Sequence, residues 1–135
     1  MNKKGFSLVE LIIVIAIMAI LVGVMAPQLI KYIEKTNESS DTQLCDTIRS
    51  ALTTAAMDPD IVKDGHGPNM GGTTVASVCS DSTYKTAVEE ILGVSVANLG
   101  SQLKSKAGKS AGLHVSITGS NAITVYCNSS IKSGN

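Results

Sequence analysis

Hydrophobic positions follow three different patterns along the chain, and the first of them is continuous. After Glu10, the sequence LIIVIAIMAILVGVMA runs to Ala26 for sixteen residues without a charge. With Ser7 and Glu10 as its polar interruptions, the segment of residues 6–26 is long enough, at about 1.5 Å per residue, to cross a hydrocarbon core of about 30 Å as a helix. This pattern predicts one membrane-spanning helix near the N-terminus.

Beyond that segment, apolar residues recur at spacings of three and four, which is typical of an amphipathic helix with one buried face. They are Ile30, Ile33, Leu44, Ile48, Leu52 and Ala55. Pro27 lacks a backbone donor and crowds the preceding turn, so we expect a bend at Pro27 within one continuing helix. The helix should end at the sequence MDP, residues 57–59, because the residue before a proline disfavours the helical conformation.

Residues 59–72 contain four glycines and two prolines, a composition that predicts a long loop. Asp58, Asp60 and Asp64 lie in or beside this loop and could offer oxygen ligands to calcium. No glutamate follows at the spacing of an EF-hand, so solvated loop carboxylates are the simpler interpretation. Residues 73–78, TTVASV, then predict a short strand.

Two shorter helices are predicted in the middle of the chain. Asp81 or Ser82 can cap the first of them, and Gly93 can end it in a left-handed conformation. The second is a weaker pattern that holds Leu99 and ends at Gly108.

Alternation with a period of two marks the C-terminal third. Leu113, Val115 and Ile117 alternate with polar residues, as do Ile123, Val125 and Cys127 after a short turn. This period predicts a β-hairpin with one apolar face. Because a hairpin alone is only marginally stable in water, that face should pack on the apolar stripe of the N-terminal helix. The expected fold class is α+β, with a long N-terminal α-helix packed against a small C-terminal antiparallel β-sheet.

The three cysteines lie far apart in the sequence and lack the spacing of a metal knuckle. Cys45 falls on the helix stripe and Cys127 on the apolar face of the hairpin, so both should point into one interface, which Cys79 could also reach. Three outcomes are open: one disulfide with a third buried thiol, three buried free thiols, or a zinc ion held by the three thiolates with His66 or a water.

Composition and charge argue against some classes of function. Only 3% of the residues are aromatic although 44% are hydrophobic, so the core is built mainly from aliphatic side chains. Eleven basic residues balance eleven acidic ones, and without a cationic field no nucleic-acid partner is expected. The sequence shows no nucleophile with a neighbouring base and no phosphate-binding loop between a strand and a helix. We therefore expect neither an enzyme nor a bound cofactor.

Glu10 is the one charged residue inside the apolar N-terminal segment. A carboxylate costs about 2.5–3.5 kcal/mol at a bilayer centre and less near the interface, so an acid in such a segment predicts a functional site. An ordinary secretory signal peptide, with Lys3 and Lys4 before the apolar run and cleavage after Ala26, is the alternative. It fits poorly, because Pro27 would directly follow the cut and a signal peptide has no use for the acid.

The N-terminal sequence KKGFSLVELIIVIAIMAILVGVMAPQL resembles that of type IV prepilins and their pseudopilin relatives. The resemblance covers about the first thirty residues: a basic leader ends at Gly5, Phe6 would be the first mature residue and Glu10 the fifth. It implies that a prepilin peptidase cuts between Gly5 and Phe6 on the cytoplasmic side of the membrane and methylates the amine of Phe6. The apolar helix then stays in the mature chain.

The resemblance also implies a role for Glu10 in assembly. The freed amine of Phe6 is cationic near neutral pH. The Glu10 carboxylate of one subunit can meet the Phe6 amine of a neighbour where the apolar helices pack together, and this pair would set their axial offset. A pair with the amine of the same subunit is the alternative.

The resemblance finally implies an organisation and a function. Residues 1–5 form a cytoplasmic leader, 6–26 the transmembrane and filament-core half of the helix, 27–58 its amphipathic half, and 59–135 a globular head with an αβ-loop and the hairpin. The expected function is that of a structural subunit of a type IV pilus, serving adhesion or motility.

The implied location and partners follow from that function. The chain would be a single-pass precursor in the cytoplasmic membrane and later part of an extracellular filament. Its partners would be other copies of itself, the prepilin peptidase and the inner-membrane pilus assembly machinery. A pseudopilin of a type II secretion or competence system, or a secreted binding domain, is the alternative function.

Overall fold

The computed structural model describes residues 5–119, 122–128 and 131–134. In chain order, these residues form helices α1 (Leu8–Ala56), α2 (Pro59–Lys63), α3 (Val75–Val78) and α4 (Ser82–Leu92), a 3₁₀ helix (Val96–Gln102), helix α5 (Lys106–Ala111) and strands β1 (His114–Thr118) and β2 (Ala122–Tyr126). The chain divides into two compact units, one up to Glu34 and one from Lys35 onwards. We call the second unit the head.

The first unit is the N-terminal part of α1. Helix α1 begins at Leu8, continues through Pro27 and ends at Ala56, so the proline does not end the helix, and the end lies next to the predicted MDP sequence. A proline in a helix interior removes one hydrogen bond and crowds the turn before it. The bend at Pro27 stays a prediction.

The core of the head forms between one face of α1 and the C-terminal hairpin. The stripe predicted on α1 is buried at Ile48, Leu52 and Ala55, whereas Ile30 and Ile33 at its start are exposed. The hairpin contributes Val115 and Val125 to the same hydrophobic cluster as the buried part of the stripe. Arg49 ties the two elements together, because its Nε donates to the carbonyl oxygen of Ile123 at 2.8 Å. The expected α+β fold, a long helix packed against a small antiparallel sheet, is confirmed.

Strands β1 and β2 pair antiparallel, with Val115 opposite Val125 and Ile117 opposite Ile123. The chain then returns along β2: the amide of Cys127 donates to the carbonyl of Ile131 at 2.8 Å, and the amide of Ser133 donates to that of Val125 at 2.7 Å. Ile131 is fully buried. This returning segment covers an edge of the hairpin and enlarges a core that two strands alone would leave open.

Two predictions between α1 and α4 are wrong. The expected loop of residues 59–72 begins with helix α2, in which Pro59 occupies the first turn and the Asp58 side chain accepts from the amide of Asp60. The expected strand at residues 73–78 is helix α3, whose capping box joins Thr74 and Ser77. A proline at the first helical position and a capping box both favour helix initiation, and here they outweigh the β-branched composition.

The next region confirms one expected helix and corrects another. Helix α4 is capped by the Asp81 side chain and stops at Gly93, which has a φ of 72°. The weaker pattern that holds Leu99 forms a 3₁₀ helix instead of an α-helix. The sequence predicts a helix end at Gly108, but this residue lies inside α5. The reason is the tertiary contact with Asp41 described below.

Candidate functional site

The start of α1 is closed by a reciprocal pair of hydrogen bonds between Ser7 and Glu10. The amide of Glu10 donates to the Ser7 hydroxyl at 3.3 Å, and the amide of Ser7 donates to Oε2 of Glu10 at 3.2 Å. The carbonyl of Ser7 also accepts from the amide of Leu11 at 3.2 Å. Ser7 is therefore the N-cap of α1, and Glu10 completes a capping box that satisfies two of the backbone donors at the helix start.

This capping role was missed in the sequence, although its signal was present there. The sequence SLVE is a serine followed three residues later by a glutamate, directly before an apolar run, which is the pattern of a capping box. The box holds the Glu10 carboxylate at the N-terminal end of the helix, where the helix dipole favours a negative charge. Oε2 accepts from Ser7, and Oε1 can accept from a further donor.

Around this carboxylate, the helix presents apolar side chains on every side. Phe6 is 87% exposed in the isolated chain, and Ile12, Ile13 and Val14, on three successive sides of the helix, are each about half exposed. Helix α1 contains an 18-residue window with a mean hydropathy of 3.0, none of it buried within the chain, and by length and composition it can cross a membrane. A helix that is apolar all round needs a bilayer or other helices to cover it.

The predicted cleavage position precedes the helix. Gly5 and Phe6 are both exposed, and they lie before the first helical residue, Leu8. A Cβ built on Gly5 would meet no atom within 4 Å, so the fold of the chain places no steric demand for glycine there. A requirement for glycine at this position would therefore come from a molecule that binds the segment.

A second polar feature lies within the head and joins α5 to the C-terminal part of α1. Asp41 lies on the buried face of α1, where its carboxylate accepts from the amide of Lys104 at 2.8 Å, from the amide of Ser105 at 3.0 Å and from the Ser105 hydroxyl. The Ser105 hydroxyl in turn accepts from the amide of Gly108 at 2.9 Å and caps α5. We call this contact the Asp41 anchor. It satisfies a buried carboxylate and fixes α5 against α1.

The structure brings two of the three cysteines together. All three are buried free thiols, and Cys45 and Cys127 are close enough in the core for each to influence the pKa of the other. Burial, and next the charge of Cys127, raise the pKa of Cys45 to about 12. Burial also raises the pKa of Cys79 to about 11, but there the charged neighbours are Glu89 and Lys85, not the other cysteines.

His66 lies with Asp81 and not with the cysteines. Its Nδ1 is 2.8 Å from Oδ2 of Asp81, and both side chains are about one third exposed. The backbone amide of Tyr84, followed by His66, lowers the pKa of Asp81. Within residues 5–119, 122–128 and 131–134, no group of three or more His, Cys, Asp or Glu side chains is placed to hold a metal ion.

Comparison with known proteins gives two independent similarities. The family described as the prokaryotic N-terminal methylation motif matches residues 1–26. Type IV major fimbrial protein FimA from Dichelobacter nodosus is 33% identical over 104 residues, which make up 77% of this chain and 61% of the relative. The protein of the same description from D. nodosus strain VCS1703A is 32% identical over 97 residues, or 72% and 56% of the two chains.

The two similarities cover different parts of the chain and of the relatives. The chain spans less than two thirds of the length of these fimbrial relatives. No solved structure matches the chain significantly. The similarity to the first relative nevertheless extends over 104 residues, and so reaches far beyond the 26 residues of the methylation motif.

Proposed function

We propose that this chain, which belongs to the type IV pilin family, is a structural subunit of a type IV pilus and assembles with copies of itself into a surface filament. The observation that carries the proposal is the N-terminal half of α1, which is apolar on all sides and exposed in the isolated chain. Such a helix is stable in a bilayer before assembly and in a bundle of identical helices afterwards. The fimbrial relatives support the same function.

Processing before the helix is the first step of this proposal. A prepilin peptidase cuts between Gly5 and Phe6 and methylates the new amine of Phe6, as the methylation motif at residues 1–26 supports. The exposure of the segment and the absence of any steric demand for glycine within the chain are consistent with recognition of Gly5 by the peptidase. The leader is removed on the cytoplasmic side, and the helix remains in the membrane.

Assembly then uses the carboxylate of Glu10. The capping box directs Oε2 towards the amide of Ser7 of the same chain, and Oε1 accepts from the Phe6 amine of a neighbouring subunit. Each helix that joins the bundle brings one amine and one carboxylate, so the pairs repeat along the filament. In a medium without water an unpaired charge is costly, and a wrong axial offset is therefore disfavoured. Glu10 thereby sets the register between subunits.

The head gives the filament its outer surface. It is held together by its own core and by the Asp41 anchor, and most of its charged side chains in the described residues are exposed to solvent. The subunit is a single-pass protein of the cytoplasmic membrane before assembly and becomes part of the extracellular filament afterwards. The inner-membrane assembly machinery moves it from one state to the other.

The test is complementation of a strain that lacks the native gene, followed by shearing of the cell surface, immunoblotting and electron microscopy. Two isoleucines of similar exposure give a matched pair: Ile17 in the apolar half of α1 is 52% exposed and Ile91 in the head is 49% exposed. Ile17→Lys should abolish filaments, whereas Ile91→Lys should leave them. A wild-type chain that is found only as a soluble secreted protein would refute the proposal.

A further inference from the structure

The head carries two grooves of opposite charge at different heights along α1. The first, which we call the lysine groove, has a volume of about 660 Å³. Its lining includes Asn37, Ser40, Leu44, Gln102, Lys104 and Lys109. Lys104 and Lys109 give it two positive charges, and no acidic side chain is among its lining residues.

The second groove, which we call the acidic groove, has a volume of about 410 Å³ and lies beside α4. Its lining includes Asp58, Ile61, Thr83, Thr86, Ala87 and Glu90. Asp58 and Glu90 give it two negative charges, and no basic side chain lines it. The linings of the two grooves therefore carry opposite charge.

The side chains that define these charges are available for external partners. Lys109 and Glu90 are exposed, and neither forms an ion pair with another residue of the part of the chain that the structure describes. Asp58 uses Oδ1 to accept from the amide of Asp60 at the start of α2, so its second oxygen can face outwards.

We infer that Lys104 and Lys109, at the lysine groove of one subunit, pair with Asp58 and Glu90, at the acidic groove of another copy of this chain. The inference rests on the proposed function and names the contact between heads that accompanies the contact between N-terminal helices. Two lysines facing two carboxylates make the surfaces complementary in charge, whereas a lysine groove facing its own copy would bring like charges together. The charges therefore favour contact between the two different patches over contact of either patch with its own copy.

The position of the grooves gives this contact a direction. The lysine groove includes Ser40, and the acidic groove includes Asp58, which follows the end of α1. At about 1.5 Å per residue, these positions are about 25 Å apart along the helix axis. When each subunit uses its lysine groove on one neighbour and its acidic groove on another, the contact is heterologous, and it generates an open-ended helical assembly if the rotation between copies does not close a ring.

A charge-reversal series in the full-length chain tests the inference. Lys109→Glu and Glu90→Lys each place like charges in the contact and should lower the yield of sheared filaments roughly tenfold, which corresponds to a cost of about 1.4 kcal/mol. The double variant, Lys109→Glu with Glu90→Lys, restores opposite charges and should recover the wild-type yield. Lys132→Glu, at an exposed lysine outside both grooves, is the matched control and should assemble normally.

Two controls keep the outcomes distinct. Thermal unfolding of each detergent-solubilised variant should match the wild type, because the exchanged side chains are exposed. If both single variants assemble like the wild type, or if the double variant stays as defective as the singles, the two grooves do not meet and the inference is overturned. If the wild-type chain forms no filament, the proposed function fails instead.

Discussion

Ser7 and Glu10 bind each other at the first turn of α1, with the amide of each residue donating to the side chain of the other. Glu10 therefore has a role inside its own chain before any neighbour is present. The family resemblance assigns the same carboxylate to a neighbour's amine. The two roles make different demands, because capping needs an acceptor oxygen while pairing with an amine needs a negative charge.

The substitution Glu10→Gln separates these two roles. Glutamine at the third helical position can complete a capping box, so the helix start is preserved while the charge is lost. If Glu10 sets the register, this variant should be cleaved and methylated normally and yet be absent from sheared filaments, as should Glu10→Ala. Immunoblots of the membrane and filament fractions measure both steps. Normal incorporation of the glutamine variant would show that capping alone explains the residue.

Ser7→Ala is the complementary variant. It removes the hydroxyl that accepts from the amide of Glu10 but leaves the carboxylate, and loss of such a cap costs about 1 kcal/mol of helix stability. We expect reduced but detectable filament yield, because the charge that we propose to pair with the neighbour is intact. Complete loss of filaments from Ser7→Ala, together with normal filaments from Glu10→Gln, would reverse the assignment of roles.

The Asp41 anchor predicts a large effect on the stability of the head. Asp41→Ala leaves the part-buried amide of Lys104 and the buried amide of Ser105 without their acceptor, so the free energy of unfolding should fall by about 2–4 kcal/mol. Gln43→Ala, at an exposed position of the same helix, should change it by less than about 0.5 kcal/mol. Urea denaturation of the detergent-solubilised chain, followed by circular dichroism, measures both. Equal midpoints for the two variants would mean that the anchor contributes nothing.

A side chain at Gly108 should destabilise the head, because it would clash with residues of the Asp41 anchor. A Cβ at this position would collide with the carboxylate of Asp41 and would lie 2.8 Å from the Ser105 hydroxyl. Overpacking of this kind typically costs about 1–3 kcal/mol. Gly108→Ala should therefore destabilise the head, while Gly100→Ala, with open space around its Cβ, should not. The thermal unfolding temperatures of the two variants test this difference, and equal values would contradict the collision.

Alkaline pH should destabilise the reduced protein through Cys45. The pKa of this thiol is raised from 9.0 to about 12 in the folded chain, so above pH 9 the unfolded chain releases a proton that the folded chain retains. The stabilisation is fully present below pH 9 and is lost as pH rises towards 12, at no more than about 1.4 kcal/mol per pH unit. Cys45→Ala should flatten the fall in unfolding free energy between pH 8 and pH 11. An unchanged slope would contradict the buried, protonated thiol.

The adjacency of Cys45 and Cys127 predicts which disulfide can form. With oxidised glutathione as the oxidant, the two thiols would lose their hydrogens and form one S–S bond, while the glutathione disulfide is reduced to two thiols. Peptide mapping should then find Cys45 joined to Cys127, in the wild type and in Cys79→Ser alike, and no such bond in Cys127→Ser. A cross-link to Cys79 would contradict the arrangement of the core.

The features that could be read from the sequence are those whose signals are local and repeated. The stripe through Ile48 and Leu52 and the alternation through Val115 and Val125 each extend over several residues, and both faces are buried as expected. The cap at Asp81 and the stop at Gly93 were also predictable, because each depends on one residue type at one helix end.

The features that could not be read depend on partners that are distant in sequence. Gly108 looks like a helix stop until the carboxylate of Asp41, 67 positions earlier, is placed beside it. Asp41 itself is an acid on an apolar stripe, a signal of a buried polar contact, but nothing local identifies Ser105 as its partner. Residues 73–78 are a different case, because the capping pair of Thr74 and Ser77 is a local signal that favours a helix over the strand predicted from composition.

The most direct test of the central claim is the intact mass and N-terminal sequence of the chain in filaments sheared from the cell surface. We predict a protein that begins at Phe6, carries one additional methyl group on its amine and retains the whole of α1. A chain that begins at or beyond Pro27 would lack the apolar helix, and filament assembly through that helix would then be wrong.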